Sequence, residues 1–212
     1  MYLDIPNLRN VILSDSLMYD TNPVVNSKYL FSFLSLDVSI LLFPRIYGID
    51  FIQSMNWLIK SISIPDWTCN DIDYTVFDFS RFTLVESIEI GDNCFASVKA
   101  FQIDGLNRLK SLKIGKNSFT QEKNSYGDDE SKSFHVLNCE SLESIQIGED
   151  SFSDFGGEFE WKNLPQLQSI QIGKMGRYSN NFYYSSFVIR GIDVILNIVM
   201  NRYSKSTIHY IR

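Results

Sequence analysis

Histidine occurs only twice and cysteine only three times in these 212 residues, and both shortages narrow the chemistry the chain can host. Cys69, Cys94 and Cys139 are odd in number and show no C-x-x-C spacing. Neither a disulfide framework nor a zinc ribbon is indicated, and a reducing compartment fits best. Positive charge is scarce and scattered: the formal charge is −6 and the pI is near 4.9. That balance argues against a nucleic-acid surface, which needs a concentrated basic patch to neutralise phosphates. Long apolar runs are missing too. Stretches such as SILLF at 39–43 fall far short of the roughly 20 residues of a membrane helix, so no membrane insertion is expected. The segment YLDIPNLRNV after Met1 has no basic n-region and reaches charge and proline too soon for a secretory leader. No N-x-S/T sequon occurs, which together with the free thiols leans toward the cytoplasm.

What is abundant is apolar and aromatic, 44% and 14% of the residues, enough to bury a substantial core. These residues are arranged as a repeat. ESLESIQIGEDSF at 140–152 restates NRLKSLKIGKNSF at 107–119, and related text starts at Ile59, Val85, Leu109, Leu142, Leu167 and, more weakly, Ile195. A phenylalanine stands eight residues before each start, at Phe51, Phe77, Phe101, Phe134, Phe159 and Phe187. Two independent columns therefore set the same register. The starts are 26, 24, 33, 25 and 28 residues apart, inside or just above the roughly 20–29 residues of leucine-rich repeats; the 33 marks an insertion. LRNVILSDSL from Leu8 and VSILLFP from Val38 keep the apolar positions, which gives eight units with the first two degenerate.

One unit, from Leu109, reads as a strand with two unlike faces. Leu112 and Ile114 lie two apart and face one side, while Ser111 and Lys113 face the other. Gly115 then supplies a flexible turn position, and Phe119 follows as a large apolar plug where the chain bends back, as do Phe95 and Phe152. Strands that recur with one polarity after a long connection must pair in parallel, because a two-residue hairpin cannot join them. The upstream element, as in FQIDGL at 101–106 and FHVLNC at 134–139, alternates as well. It fits a second short strand and a flatter coil than a strand-plus-helix repeat, and little 3.6-residue periodicity supports long helices.

No catalytic, cofactor-binding or metal-ligating residue is assigned. His135 and Cys139 are four apart, but Cys139 takes the column of Leu106 and Leu164 and His135 the polar column of Gln102 and Glu160, so both read as parts of the repeat. Neither His135 nor His209 stands near a nucleophile motif, and no G-x-S-x-G, P-loop or carboxylate pair is present. No enzyme activity and no cofactor are expected. Binding candidates lie in three places. The variable column of the sheet face carries Ser63, Glu89, Lys113, Gln146 and Gln171; the insertion TQEKNSYGDDESKS at 120–133 carries Asp128 and Asp129; GRYSNNFYYSSF at 176–187 carries Tyr178, Tyr183 and Tyr184 among small polar residues. Loops on one face of a solenoid are frequent binding elements, and tyrosine beside serine and asparagine is the composition of adaptable contact surfaces.

NCESLESIQIGEDSF at 138–152 resembles the leucine-rich repeat of the BspA-like type, C-x-x-L-x-x-I-x-I-G-x-x-S/A-F, and the resemblance covers roughly 50–201. Pro65 and Asn201 stand where the other units carry glycine, and the asparagine ladder of the commoner leucine-rich repeats is missing. The resemblance implies a mainly β fold, one leucine-rich-repeat solenoid over 1–212 with a parallel sheet on one face and short turns or helices on the other. The clear repeats run over 51–201 and the degenerate ones over 1–50. It also implies a protein-binding or adhesion module with no catalytic residues, and it leans toward a cell surface. Both ends read as interior repeat text without a polar cap, which fits a piece of something longer. Two functional expectations follow: a noncatalytic scaffold that binds a protein partner through the sheet face and adjoining loops, or a structural or regulatory repeat segment of a larger protein with no ligand of its own.

Overall fold

In the computed structural model the described residues are 60–70, 72–73, 75–80, 82–121, 129–173, 179–182 and 185–191, with strand segments at 10–11, 39–41, 197–199 and 207–211. The repeated text becomes one parallel sheet, sheet A. Its strands are β1 (Asn10–Val11), β2 (Ser39–Leu41), β3 (Ser61–Ile64), β5 (Ser87–Ile90), β7 (Ser111–Ile114), β9 (Ser144–Ile147), β11 (Ser169–Ile172) and β13 (Asn197–Val199). The upstream phenylalanine segments become a second parallel sheet, sheet B: β4 (Val76–Asp78), β6 (Ala100–Asp104), β8 (Ser133–Leu137), β10 (Glu158–Lys162), β12 (Ser186–Arg190) and β14 (Thr207–Ile211). Spatial order follows chain order in both sheets. The chain is thus a two-sheet parallel β-solenoid, with the second sheet occupying the face opposite the first. The described residues contain no helix, hence none long and apolar enough to cross a membrane.

Register is uniform because each strand from β3 to β11 buries alternate residues. Ile62, Ile88, Leu112, Ile145 and Ile170 pair in one row, each at most 1% exposed. A one-residue slip would turn that row outward. Between the sheets run two files of phenylalanine. Phe77, Phe101, Phe134 and Phe159 come from sheet B, with successive ring centroids 4.6, 4.6 and 6.0 Å apart and nearly parallel. Phe95, Phe119, Phe152 and Phe182 come from the turns after sheet A, with centroids 5.0, 4.7 and 4.9 Å apart. The files meet edge to face, as in Phe101–Phe119 at 86° and Phe134–Phe152 at 82°, the geometry that the ring quadrupole favours.

The turn file exists because four bulky residues accept a left-handed backbone. Phe95, Phe119, Phe152 and Phe182 have φ of 57, 56, 58 and 48°, a region that normally suits glycine or asparagine. Each such residue costs of order 1–3 kcal/mol, offset here by complete or near-complete burial of a ring. Two residues earlier, Asn93, Asn117 and Asp150 are also left-handed, with side chains suited to that conformation.

The glycine after β5, β7 and β9 does something other than the turn flexibility expected of Gly115, whereas Gly173 after β11 does take a left-handed turn at φ 69°. Gly91, Gly115 and Gly148 are not among the positive-φ residues. They are small because consecutive units touch there: a Cβ on Gly148 would lie 2.5 Å from the carbonyl carbon and oxygen of Gly115, and one on Gly115 2.5 Å from those of Gly91. Gly148→Ala is therefore expected to cost about 1–3 kcal/mol by overpacking against backbone, read as a fall in the urea midpoint.

Polar ladders satisfy the backbone that these turns leave unpaired. The hydroxyl of Ser118 donates to the carbonyl of Gly91 at 2.8 Å and that of Ser151 to Gly115 at 2.6 Å, while Asn181 Nδ2 donates to Gly148 at 2.7 Å. In the earlier unit Cys94 Sγ takes this role toward Pro65, at 3.0 Å. At the corner after sheet B, Asn163 Nδ2 donates to Asn138 Oδ1 and Asn138 Nδ2 to Asp104 Oδ1, each at 2.7 Å. This is a short side-chain ladder at the sheet B corner, where Asn138 and Asn163 are left-handed at φ 52 and 54°.

All three cysteines are buried and unbridged, as their repeat columns require. Burial pushes the Cys139 thiol up to about 11 and raises those of Cys69 and Cys94. Folded thiols therefore resist alkylation at neutral pH, and labelling should appear only in denaturant. For Cys139 the sign is that its contribution is intact below the ordinary thiol value of 9.0 and is lost as pH rises through about 11. A urea titration at pH 8 and pH 10 should show the lower midpoint at pH 10.

Candidate functional site

The outward side chains of sheet A form two straight columns. The first is serine from β3 to β11: Ser61, Ser87, Ser111, Ser144 and Ser169 pair in register and are half-buried. Ser61 and Ser87 share a hydrogen bond at 2.8 Å between their hydroxyls. The second column is Ser63, Glu89, Lys113, Gln146 and Gln171, also consecutive in register. These are the residues that alternation places on the wet face, and the fold brings all five together.

Lys113 Nζ meets Glu89 Oε1 at 2.5 Å, and Lys110 Nζ meets Glu86 Oε2 at 3.3 Å. The Glu89–Lys113 pair is more than half exposed on both sides, so its net worth is small and screened by salt. Its effect is on recognition: it cancels local charge and leaves a face of hydroxyls, amides and one paired dipole. The serines from Ser61 to Ser144, with Ser63, Glu89, Lys113 and Gln146, line a shallow groove of about 290 Å³ across β3 to β9.

The face has no large aromatic of its own, but an exposed one follows its strand β3 in the chain. Trp67, in the turn that leaves β3, is 70% exposed and held at φ 62°, in the position that Asn93 and Asn117 take in the next two units. Ile72 and Val76 are exposed as well, at 71% and 52%, Val76 on the terminal strand of sheet B. Strand alternation gave no signal for Trp67 and Ile72, since turn exposure is not encoded by period two, whereas Val76 alternates with buried Phe77 in β4. The one available clue was tryptophan in a column otherwise held by asparagine and aspartate.

Asp129 does not join the groove. It sits on the returning arm of the insertion, bridged to Phe155, and its carboxyl is held below the usual carboxylate range chiefly by the Ser131 hydroxyl, 2.5 Å away. Asp128, Tyr178, Tyr183 and Tyr184 lie outside the described residues. Cys139 is fully buried and donates to the Leu137 carbonyl at 3.2 Å, whereas His135 is on sheet B between Gln102 and Glu160.

The arrangement defines a class, the parallel two-sheet β-solenoid with a polar, register-repeated outer face. Comparison with known proteins finds no matching family model, no matching curated protein and no matching solved structure.

Proposed function

We propose that the chain is a noncatalytic protein-binding scaffold of the BspA-like leucine-rich-repeat type, and that sheet A's outer face with Trp67 is its contact surface. One observation carries this reading: a five-strand polar column together with a 70% exposed tryptophan in the turn that follows its first strand. Strained, exposed aromatics are kept where a surface uses them, and tryptophan is the side chain most enriched at binding hot spots. The groove supplies hydrogen-bonding groups that orient an extended polypeptide; Trp67 supplies apolar area. Three buried free thiols fit a reducing compartment, which favours an intracellular partner.

The test is a comparison of captured proteins between the parent chain and two variants, Glu89→Ala/Lys113→Ala/Gln146→Ala and Trp67→Asn. Trp67→Asn is expected to raise stability by about 0.5–1 kcal/mol, because asparagine tolerates the left-handed turn, while weakening capture at least tenfold. The triple variant should also weaken capture without changing the urea midpoint. Equal capture by parent and both variants would overturn the assignment of this face.

A further inference from the structure

The insertion between Phe119 and β8 is tied down by two ionisable side chains that touch inside the protein. Lys132 Nζ lies 2.5 Å from Asp154 Oδ2, with only 3% and 4% of the two side chains exposed. The Gln121 N–H donates to the same oxygen at 3.1 Å and so fixes the rotation of the carboxylate. The Phe155 ring closes one side, its centroid 5.6 Å from Nζ. Main-chain bonds hold the surrounding backbone: Gly157 N–H to Lys132 O at 3.0 Å and Lys132 N–H to Asp129 O at 3.2 Å.

We propose that Lys132 and Asp154 condense to an intramolecular amide, a self-made covalent tie between the root of the insertion and the neighbouring turn. The ammonium passes one proton to the carboxylate oxygen it touches, and the freed Nζ lone pair attacks Cγ. The tetrahedral centre takes a second proton from nitrogen onto the same oxygen. The C–O bond breaks, water leaves, and one hydrogen remains on the new amide nitrogen. Ammonium and carboxylate become a secondary amide and one water, with no oxidant, cofactor or activating group consumed.

Three features favour the forward direction. The reacting groups are held in contact by the fold, which replaces a bimolecular encounter. Two charges removed from water are not fully compensated by mutual attraction, and condensation eliminates both. Both side chains are almost fully enclosed, which limits the access of water for the reverse hydrolysis. The equivalent position one unit earlier, Lys99, is exposed and carries no such contact among the described residues, so the tie is specific to the unit with the insertion.

Intact mass of the full chain, folded and then denatured under reducing conditions, tests the proposal. The expected mass is one water below that of the sequence, with a branched peptide joining residues 132 and 154 after digestion. Lys132→Arg and Asp154→Ala should each restore the full mass. If either fails to fold, the apolar pair Lys132→Met/Asp154→Leu provides the full-mass comparison. An unmodified mass after prolonged incubation of the folded chain at neutral pH overturns the proposal. So does a water-light species that hydroxylamine cleaves at Asp104–Gly105, because that loss is a succinimide, and so does a water-light Lys132 or Asp154 variant.

Discussion

Phe152→Ala is expected to lower the unfolding free energy by about 3–5 kcal/mol, the range for deleting a buried phenyl ring. The ring is 0% exposed and stacks on Phe119 and Phe182. It also meets Phe101, Phe134 and Phe155 edge to face. Alanine removes all five contacts while remaining in a left-handed turn at φ 58°, so the strain persists and its compensation is gone. A urea melt followed by intrinsic fluorescence reads the effect. Phe152→Asn separates the two terms: it suits the backbone yet forfeits the ring, and should recover no more than about 1 kcal/mol of the loss. A loss below about 1 kcal/mol for the alanine variant would show that the aromatic files do not hold the units together.

The second large effect is expected at the buried pair. Lys132→Ala leaves the Asp154 carboxylate enclosed without its nearest cation, and breaking a buried pair on one side costs about 3–5 kcal/mol. The double replacement Lys132→Met/Asp154→Leu should restore most of that stability, because an apolar pair of similar volume carries no charge into the interior. The measurement is the urea midpoint of the parent, single and double variants. A double variant as unstable as the single would mean that the loss comes from the missing covalent tie or from packing against Phe155 and not from charge, and the intact masses distinguish the two.

Much of this architecture could be read from spacing. The eight-residue offset between Phe77 and Val85, repeated at Phe101, Phe134 and Phe159, is the distance from a sheet B strand to the entry of the next sheet A strand, so both sheets were implicit in it. The plug positions Phe95, Phe119 and Phe152 were legible as core because a polar turn has no other use for so large a ring. Their left-handed backbone was not, since that conformation is ordinarily announced by glycine or asparagine. Gly115 misled in the opposite sense. It reads as a flexible turn residue, but its smallness serves the 2.5 Å approach of neighbouring backbone, a constraint between units that no single unit displays.

The same division holds for the site. Glu89, Lys113, Gln146 and Gln171 were recoverable because period-two alternation states which side of a strand is wet. Lys132 was not: it lies in a run of polar and acidic residues that reads as solvated loop, and only the return of the chain onto Phe155 encloses it. Trp67 was hidden for a related reason, because exposure in a turn depends on what packs over it in three dimensions.

The insertion adds residues between Phe119 and β8, yet β6 and β8 still pair without offset, Phe101 against Phe134 and Ile103 against Val136. The flanks are secured on both sides, by Gln121 on Asp154 and by Asp129 on Phe155. This corner is therefore a natural splice point. A foreign peptide grafted between Gln121 and Asp129 would be displayed from anchored stems, with the sheets on either side keeping their alignment.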